Sequence, residues 1–118
     1  MRLGEALADM TSEVQTLVGN AVFVTVDAIE ATNAVAAGGI ALVILPPEIT
    51  FETPLIWSHT WKLWLLSPEQ ISAPALTGLG EVIDKLQPLG MTSAEPFDFE
   101  STHSRYPGYQ LTLSDVRS

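Results

Sequence analysis

Residues 40–66 constrain the fold of this chain more than any other part of the sequence. The segment begins with six consecutive apolar residues, which Pro46 and Pro47 interrupt. Proline cannot donate a ladder hydrogen bond, so this pair marks the end of a strand. Alternating residues resume at 49–53 and again at 57–66, where the three tryptophans occur. The segment therefore predicts a central strand buried on both faces, followed by a hairpin with an aromatic second arm.

Two amphipathic helices are predicted, one on each side of this segment. The first has an apolar stripe at spacings of three and four residues, and Gly19 ends it. Ser72 and Pro74 mark the start of the second, because serine caps helices and proline fits the first turn. The stripes comprise Leu3, Leu7, Met10, Val14 and Leu17 in the first helix and Leu76, Leu79, Ile83 and Leu86 in the second.

Three further strands and one long loop complete the predicted elements. Residues 22–26 are rich in β-branched and aromatic side chains, which favour a strand. Residues 97–100 and 109–114 alternate between apolar and polar, and a turn over 101–108 joins them. The alanine-rich residues 27–39 have room for a turn of helix but are expected to form a long loop, and loops of this length tend to be functional or mobile in compact domains.

These elements predict a single α+β domain over residues 1–118. Its architecture is a two-layer sandwich, a mainly antiparallel sheet with two helices packed on one face. The other face is expected to be polar and mostly acidic, with Trp64 as the exception. A tryptophan there indicates either a subunit contact or a side chain covered by a local loop. The expected polar face comprises Thr50, Glu52, Ser58, Thr60, Lys62, Asp98, Glu100, Gln110 and Thr112.

The charge of the chain argues against binding to nucleic acid. Fourteen Asp and Glu residues oppose five Lys and Arg residues, which gives a formal net charge of −9. The basic residues are scattered, whereas a nucleic-acid surface needs them clustered. The chain has no cysteine, so it has no disulfide and no thiolate metal site. No apolar run approaches the roughly 18 residues of a membrane span, and no signal peptide is recognisable, so the cytoplasm is the default compartment.

Few residues suggest chemistry, and we expect no enzymatic activity, metal or cofactor. His59 lies between Trp57 and Trp61 on the face predicted to be buried, which favours a satisfied, neutral core histidine. His103 lies in the predicted turn and is expected to be solvated. Ser58 precedes His59, but neighbouring residues of a strand point to opposite faces, so the two do not form a nucleophile and its base.

The order of these elements, together with three short segments, is similar to that of a known family. A short helix is followed by a strand, a variable loop and a strand pair that two prolines punctuate. A tryptophan-rich strand, a helix rich in small residues and a closing strand complete the chain. This combination resembles the tail terminator proteins of long-tailed, siphovirus-type bacteriophages, and it covers nearly the whole chain. The segments are ILPPEITF at 44–51, TWKLW at 60–64 and YPGY at 106–109.

The resemblance implies a structural role. Such proteins form a ring, typically a hexamer, that caps the tail tube and joins it to the head-side connector or stopper. The implied location is the head-proximal end of the virion tail, after synthesis in the host cytoplasm. DNA would pass through the ring without specific binding, and an acidic lumen would repel it. The interface candidates are Pro47, Glu48, Trp57, Trp64, Val35, Arg105 and Tyr106, and the acidic lumen candidates are Glu52, Asp98 and Glu100.

Three other functions remain open at the level of sequence. Another head–tail connector, such as a stopper or completion protein, would belong to the same class of structural virion proteins. A small acidic binding or inhibitor module that masks a basic site would be monomeric. A small α+β enzyme would use His59 with a nearby acid, and its activity would depend on that side chain while its folding would not.

Overall fold

Within the residues that the structure describes, three helices and six strands build a fold of the predicted α+β class. The computed structural model describes residues 2–68, 72–100 and 105–117, with side chains as far as Ser114. None of the helices in these ranges is long and apolar enough to cross a membrane. The elements in chain order are α1 (Leu3–Val18), β1 (Val22–Thr25), α2 (Ala28–Ala36), β2 (Ile40–Ile44), β3 (Glu48–Thr53), β4 (Ile56–Leu66), α3 (Ala73–Lys85), β5 (Met91–Glu100) and β6 (Arg105–Arg117).

Strand β4 is the centre of a mostly antiparallel sheet. On one side it pairs with β6 over residues 57–66. On its other side, β3 pairs with the first half of β4 and β2 with the second half. β1 adds to β2 in parallel, and β5 adds to β6 in antiparallel orientation. The order is therefore β1-β2-β4-β6-β5, with β3 beside the first half of β4.

Helices α1 and α3 pack against the same face of the sheet, as predicted. Strand β4 contributes the fully buried side chains of Trp61, Leu63 and Leu65 to this face. Helix α3 begins as the sequence indicates, because the Ser72 hydroxyl accepts a hydrogen bond of 3.2 Å from the Ala75 N–H. The helices and the turn after α3 contribute Met10, Val14, Val18, Leu79, Val82 and Leu86 to the core.

A third helix, α2, occupies the segment for which the sequence analysis predicts a loop, so that prediction is wrong. The Asp27 carboxylate accepts a hydrogen bond of 2.8 Å from the Ile29 N–H and caps the helix. Ala31 and Val35, four residues apart on one helical face, are buried in a second apolar cluster. That cluster also contains Val43 of β2, so α2 packs on the face opposite α1 and α3.

The two C-terminal strands are longer than predicted. β6 already begins at Arg105, so residues 105–108, predicted as the second half of the turn, lie inside a strand. β5 begins at Met91, and its backbone pairs with β6 although residues 91–96 show no apolar alternation. His103 and the first half of its predicted turn lie outside the described residues.

The face opposite α1 and α3 differs from the expected acidic surface. Trp64 lies on this face between the rings of Phe97 and Phe99, at centroid distances of 5.8 and 5.5 Å. Neighbouring strand residues alternate between faces, so Asp98 and Glu100 project to the side of α1 and α3. The register of β5 against β6, which the sequence pattern does not determine, is the reason for this reversal.

Candidate functional site

The tip of the β3–β4 hairpin exposes a group of large apolar side chains, Phe51, Leu55 and Ile56, which we call the tip patch. Leu55 is 77% exposed, the highest value among the large apolar residues that the structure describes. The Thr53 hydroxyl accepts hydrogen bonds from the N–H groups of Leu55 and Ile56, at 3.2 and 3.0 Å, and closes the turn. The turn therefore keeps these apolar side chains exposed to water. Covering them with a partner would lower the free energy, because it removes apolar surface from water.

A second apolar group, Phe23, Val26 and Ile29, lies where edge strand β1 meets α2, and we call it the corner patch. Ile29 is 71% exposed. The Thr25 hydroxyl accepts a hydrogen bond from the Asp27 N–H and donates one of 2.8 Å to the Glu30 carboxylate. These bonds and the Asp27 cap fix the direction of the chain at this corner.

The two patches lie far apart on the molecule. Phe51 pairs with Trp57 at one end of β4, whereas Phe23 is level with Leu66 at the other end, through Ala41 of β2. Nine strand residues at 3.3 Å each separate these levels by roughly 30 Å. The chain measures 45 × 27 × 23 Å, so one subunit presents two unlike apolar surfaces that do not merge.

The predicted interface residues of the hairpin and of α2 differ in how exposed they are. Trp57 is half-buried with its ring 6.4 Å from that of Phe51, so it adjoins the tip patch. Pro47 is half-buried and directly precedes β3, and Glu48 is the exposed first residue of that strand. Val35 is only 2% exposed, because α2 turns it onto the sheet. An interface contact through Val35 is therefore contradicted.

The remaining interface candidates belong to the second apolar cluster or its rim. Trp64 donates a 3.3 Å hydrogen bond from Nε1 to the Gln110 amide oxygen, and β5 covers its ring. Two explanations were predicted for Trp64, a subunit contact or cover by a local loop. The structure favours local cover, which strand β5 provides instead of a loop. Tyr106 packs on the same cluster, and Arg105 is exposed and forms an ion pair with Glu100.

The acidic lumen candidates do not form one surface. Glu52, Asp98 and Glu100 are all exposed. Glu52 lies beside the irregularity of β3 at the tip of the hairpin. The other two lie near the opposite end of β4, on the side of α1 and α3. The prediction that all three acids share one face is therefore wrong, because it assigned Asp98 and Glu100 of β5 to the face opposite α1 and α3.

His59 is buried, as predicted, but it is not satisfied. It is 5% exposed, and its ring meets the edge of Trp61 at a centroid distance of 6.0 Å. Neither ring nitrogen has a hydrogen-bond partner among the residues that the structure describes. A buried polar group left in this way costs about 1–3 kcal/mol. Within the described ranges, no three His, Asp or Glu side chains come together as a metal site.

The sequence analysis missed both apolar patches. The signal for the tip patch is the pair Leu55 and Ile56, which directly follows Pro54 at the turn between β3 and β4. Apolar side chains at the end of a hairpin have no core to enter. The corner patch cannot be predicted from the sequence until a helix beginning at Ala28 is recognised, because that helix places Ile29 beside β1.

Comparison with known proteins assigns no family to the chain. No protein-family model matches the chain, and the comparison with curated proteins found no match.

Proposed function

We propose that this protein is a structural subunit of the tail-terminator type, which forms a ring at the head-proximal end of a bacteriophage tail. The ring caps the tail tube, meets the head-side connector and leaves a passage for DNA. The observation that supports this proposal best is the pair of unlike apolar patches, whose far members Phe51 and Phe23 lie roughly 30 Å apart along β4.

Ring assembly explains why a small chain exposes two such patches. In a cyclic ring, each subunit uses two different surfaces, one toward each neighbour. A two-fold dimer needs only one self-complementary patch. We propose that the tip patch of one subunit docks on the corner patch of the next. This contact would cover Leu55 and Ile29, the two most exposed of the large apolar side chains.

The charge of the chain suits a passage for DNA that does not bind it. Six copies at −9 each carry a formal charge of −54. Such an assembly repels phosphate at long range, and it has too few clustered cations to release counterions from DNA. The DNA would therefore move through the ring without being held.

The proposal is tested by adding the purified chain to tail tubes of the phage that encodes it. Electron microscopy and sedimentation velocity would then measure what binds and where. We expect a ring of six 12.7 kDa chains, about 76 kDa in total, at one end of each tube. A chain that remains monomeric with tubes present contradicts the proposal. Binding only to a portal or adaptor ring would instead identify another connector.

A further inference from the structure

Strand β5 forms one edge of the sheet. It ends the strand order, so among the described strands it pairs only with β6, along its inner side. The Pro107 carbonyl of β6 accepts a hydrogen bond of 2.9 Å from the Ser67 N–H, so the backbone polar groups of Pro107 point toward β4. Neighbouring residues of a strand alternate in this direction, and Gly108 therefore bonds to its partner Phe97 in β5.

The backbone polar groups of every second residue of β5 consequently point away from the sheet. These residues are Ala94, Pro96, Asp98 and Glu100, and all four are exposed. Proline is compatible with this position, because the N–H that it lacks would point outward. An edge of unpaired N–H and C=O groups is a template for a further strand.

A groove of about 300 Å³ adjoins this edge on the side of α3. It is lined by Leu76 of α3, by the cross-strand pair Pro96 and Tyr109, and by the pair Asp98 and Pro107. Leu76 is 40% exposed, so much of its apolar surface is still in contact with water. A strand added to β5 would place the residue opposite Pro96 on this same face. The groove is therefore in position to receive one apolar side chain of that strand.

The charge of β5 indicates which kind of strand its edge accepts. The charged residues of β5 are Glu95, Asp98 and Glu100, and it has no Lys or Arg. Glu100 pairs with Arg105, whereas Glu95 and Asp98 form no ion pair with any side chain that the structure describes. Opposite charges on facing strand residues stabilise a sheet, and like charges destabilise it. The edge therefore favours a basic strand.

A second copy of this chain does not offer such a strand. Two β5 strands paired with each other would bring acidic side chains close together. Among the described strands, the other unpaired edges belong to β3, which contains Glu48 and Glu52, and to β1, which is uncharged. Neither strand contains Lys or Arg, so the acids of β5 would stay uncompensated.

We propose that the outer edge of β5 binds a basic, extended segment of a different polypeptide as an added antiparallel strand. The main-chain groups of Asp98 and Glu100 bond to this strand, and a Lys or Arg side chain faces the Asp98 carboxylate. An apolar side chain two positions further along enters the groove beside Leu76. Antiparallel pairing prevails in this sheet and is slightly more stable per residue than parallel pairing. The proposal does not depend on ring formation, because neither apolar patch contains a residue of β5.

The acetylated and amidated heptapeptide RVKVLKT is the probe. In antiparallel register its Arg faces Glu100, its first Lys faces Asp98 and its Leu faces Pro96. Amide hydrogen exchange of the full chain is followed in ¹⁵N–¹H spectra with and without the peptide. We expect the outward N–H groups of Ala94, Asp98 and Glu100 to exchange at least about tenfold more slowly with the peptide bound. The N–H of Phe97 already bonds to β6 and should change less.

Three results would overturn the proposal. The first is no binding at about 1 mM peptide. The second is binding that leaves the exchange of Ala94, Asp98 and Glu100 unchanged. The third is slow exchange of these N–H groups in the chain alone, increasing with its concentration, because a second copy would then occupy the edge.

Two N-methylated forms of the peptide separate strand pairing from simple attraction between charges. Methylation of the Lys that faces Asp98 removes an N–H directed at β5 and should weaken binding about tenfold or more. Methylation of the next Val, which faces Phe97, alters an N–H directed away from β5 and should change the affinity by less than about threefold. Equal losses for the two forms, or equally tight binding of the charge-reversed peptide EVEVLET, would contradict the proposal.

Matched variants of the chain complete the test. Asp98→Lys should weaken binding of RVKVLKT about tenfold or more. Asp84→Lys makes the same change of charge at an exposed position of α3 outside the groove, and its effect should be below about threefold. Equal effects of these two substitutions would overturn the proposal. Leu55→Asp, which disrupts the tip patch, should bind the peptide as the unmodified chain does, so this outcome is separable from that of the ring experiment.

Discussion

Gly108 of β6 lies so close to Leu65 of β4 that a Cβ atom added to it would be 1.9 Å from the Leu65 carbonyl oxygen. The same Cβ atom would be 2.9 Å from the Leu65 carbonyl carbon. Both neighbours are backbone atoms of the central strand, so they cannot turn aside as a flexible side chain would. The close pairing of β4 and β6 at this end of the sheet therefore requires glycine.

Gly108→Ala should destabilise the fold by about 3 kcal/mol, because the two strands have to separate to admit a methyl group. Urea unfolding followed by circular dichroism measures this change. Gly80→Ala is the control, since a Cβ there meets nothing within 4 Å and Gly80 lies in α3. It should stabilise the chain by about 0.5–1 kcal/mol. Similar effects of the two variants would contradict the close approach.

Helix α2 is tested through its cap. Asp27→Ala removes the hydrogen bond to the Ile29 N–H and should cost about 1 kcal/mol of unfolding free energy. Asp84→Ala changes an exposed aspartate within α3 and should have an effect below about 0.5 kcal/mol. If urea unfolding shows that both substitutions change the free energy of unfolding by the same amount, residues 27–36 do not form a capped helix in solution.

Replacing His59 by leucine should raise the stability of the chain. The substitution removes a buried polar ring without hydrogen bonds and leaves an apolar side chain among apolar neighbours, which is worth about 1 kcal/mol. Thermal unfolding would measure the gain. A loss of about 1 kcal/mol or more would show that the imidazole has a hydrogen-bond partner in the folded chain.

Strong apolar periodicity made α1, α3 and the central strands predictable. The stripes of α1 and α3 extend over three or more turns, and the 40–66 segment combines an apolar run with two prolines. Helix α2 buries only Ala31 and Val35, and so short a stripe is ambiguous without its packing surface. The aspartate cap and the alanine content were the available signals.

The face of β5 was not predictable from its own residues. Phe97 and Phe99 alternate with acids, and this pattern indicates which residues share a face but not which face they share. The register opposite β6 decides it, by pairing Phe97 with Gly108 and Phe99 with Tyr106.

The most direct test of the proposed ring mixes two variants, each of which has lost one patch. Leu55→Asp disrupts the tip patch and Ile29→Asp the corner patch, whereas Leu76→Asp alters an exposed leucine of α3 outside both patches. Sedimentation velocity is measured under the conditions in which the unmodified chain forms rings. We predict that each patch variant alone is monomeric and that the equimolar mixture forms a dimer and nothing larger, because one intact tip meets one intact corner. The Leu76→Asp variant should still form rings. A mixture that stays monomeric, or single patch variants that still form rings, would contradict head-to-tail assembly through these two patches.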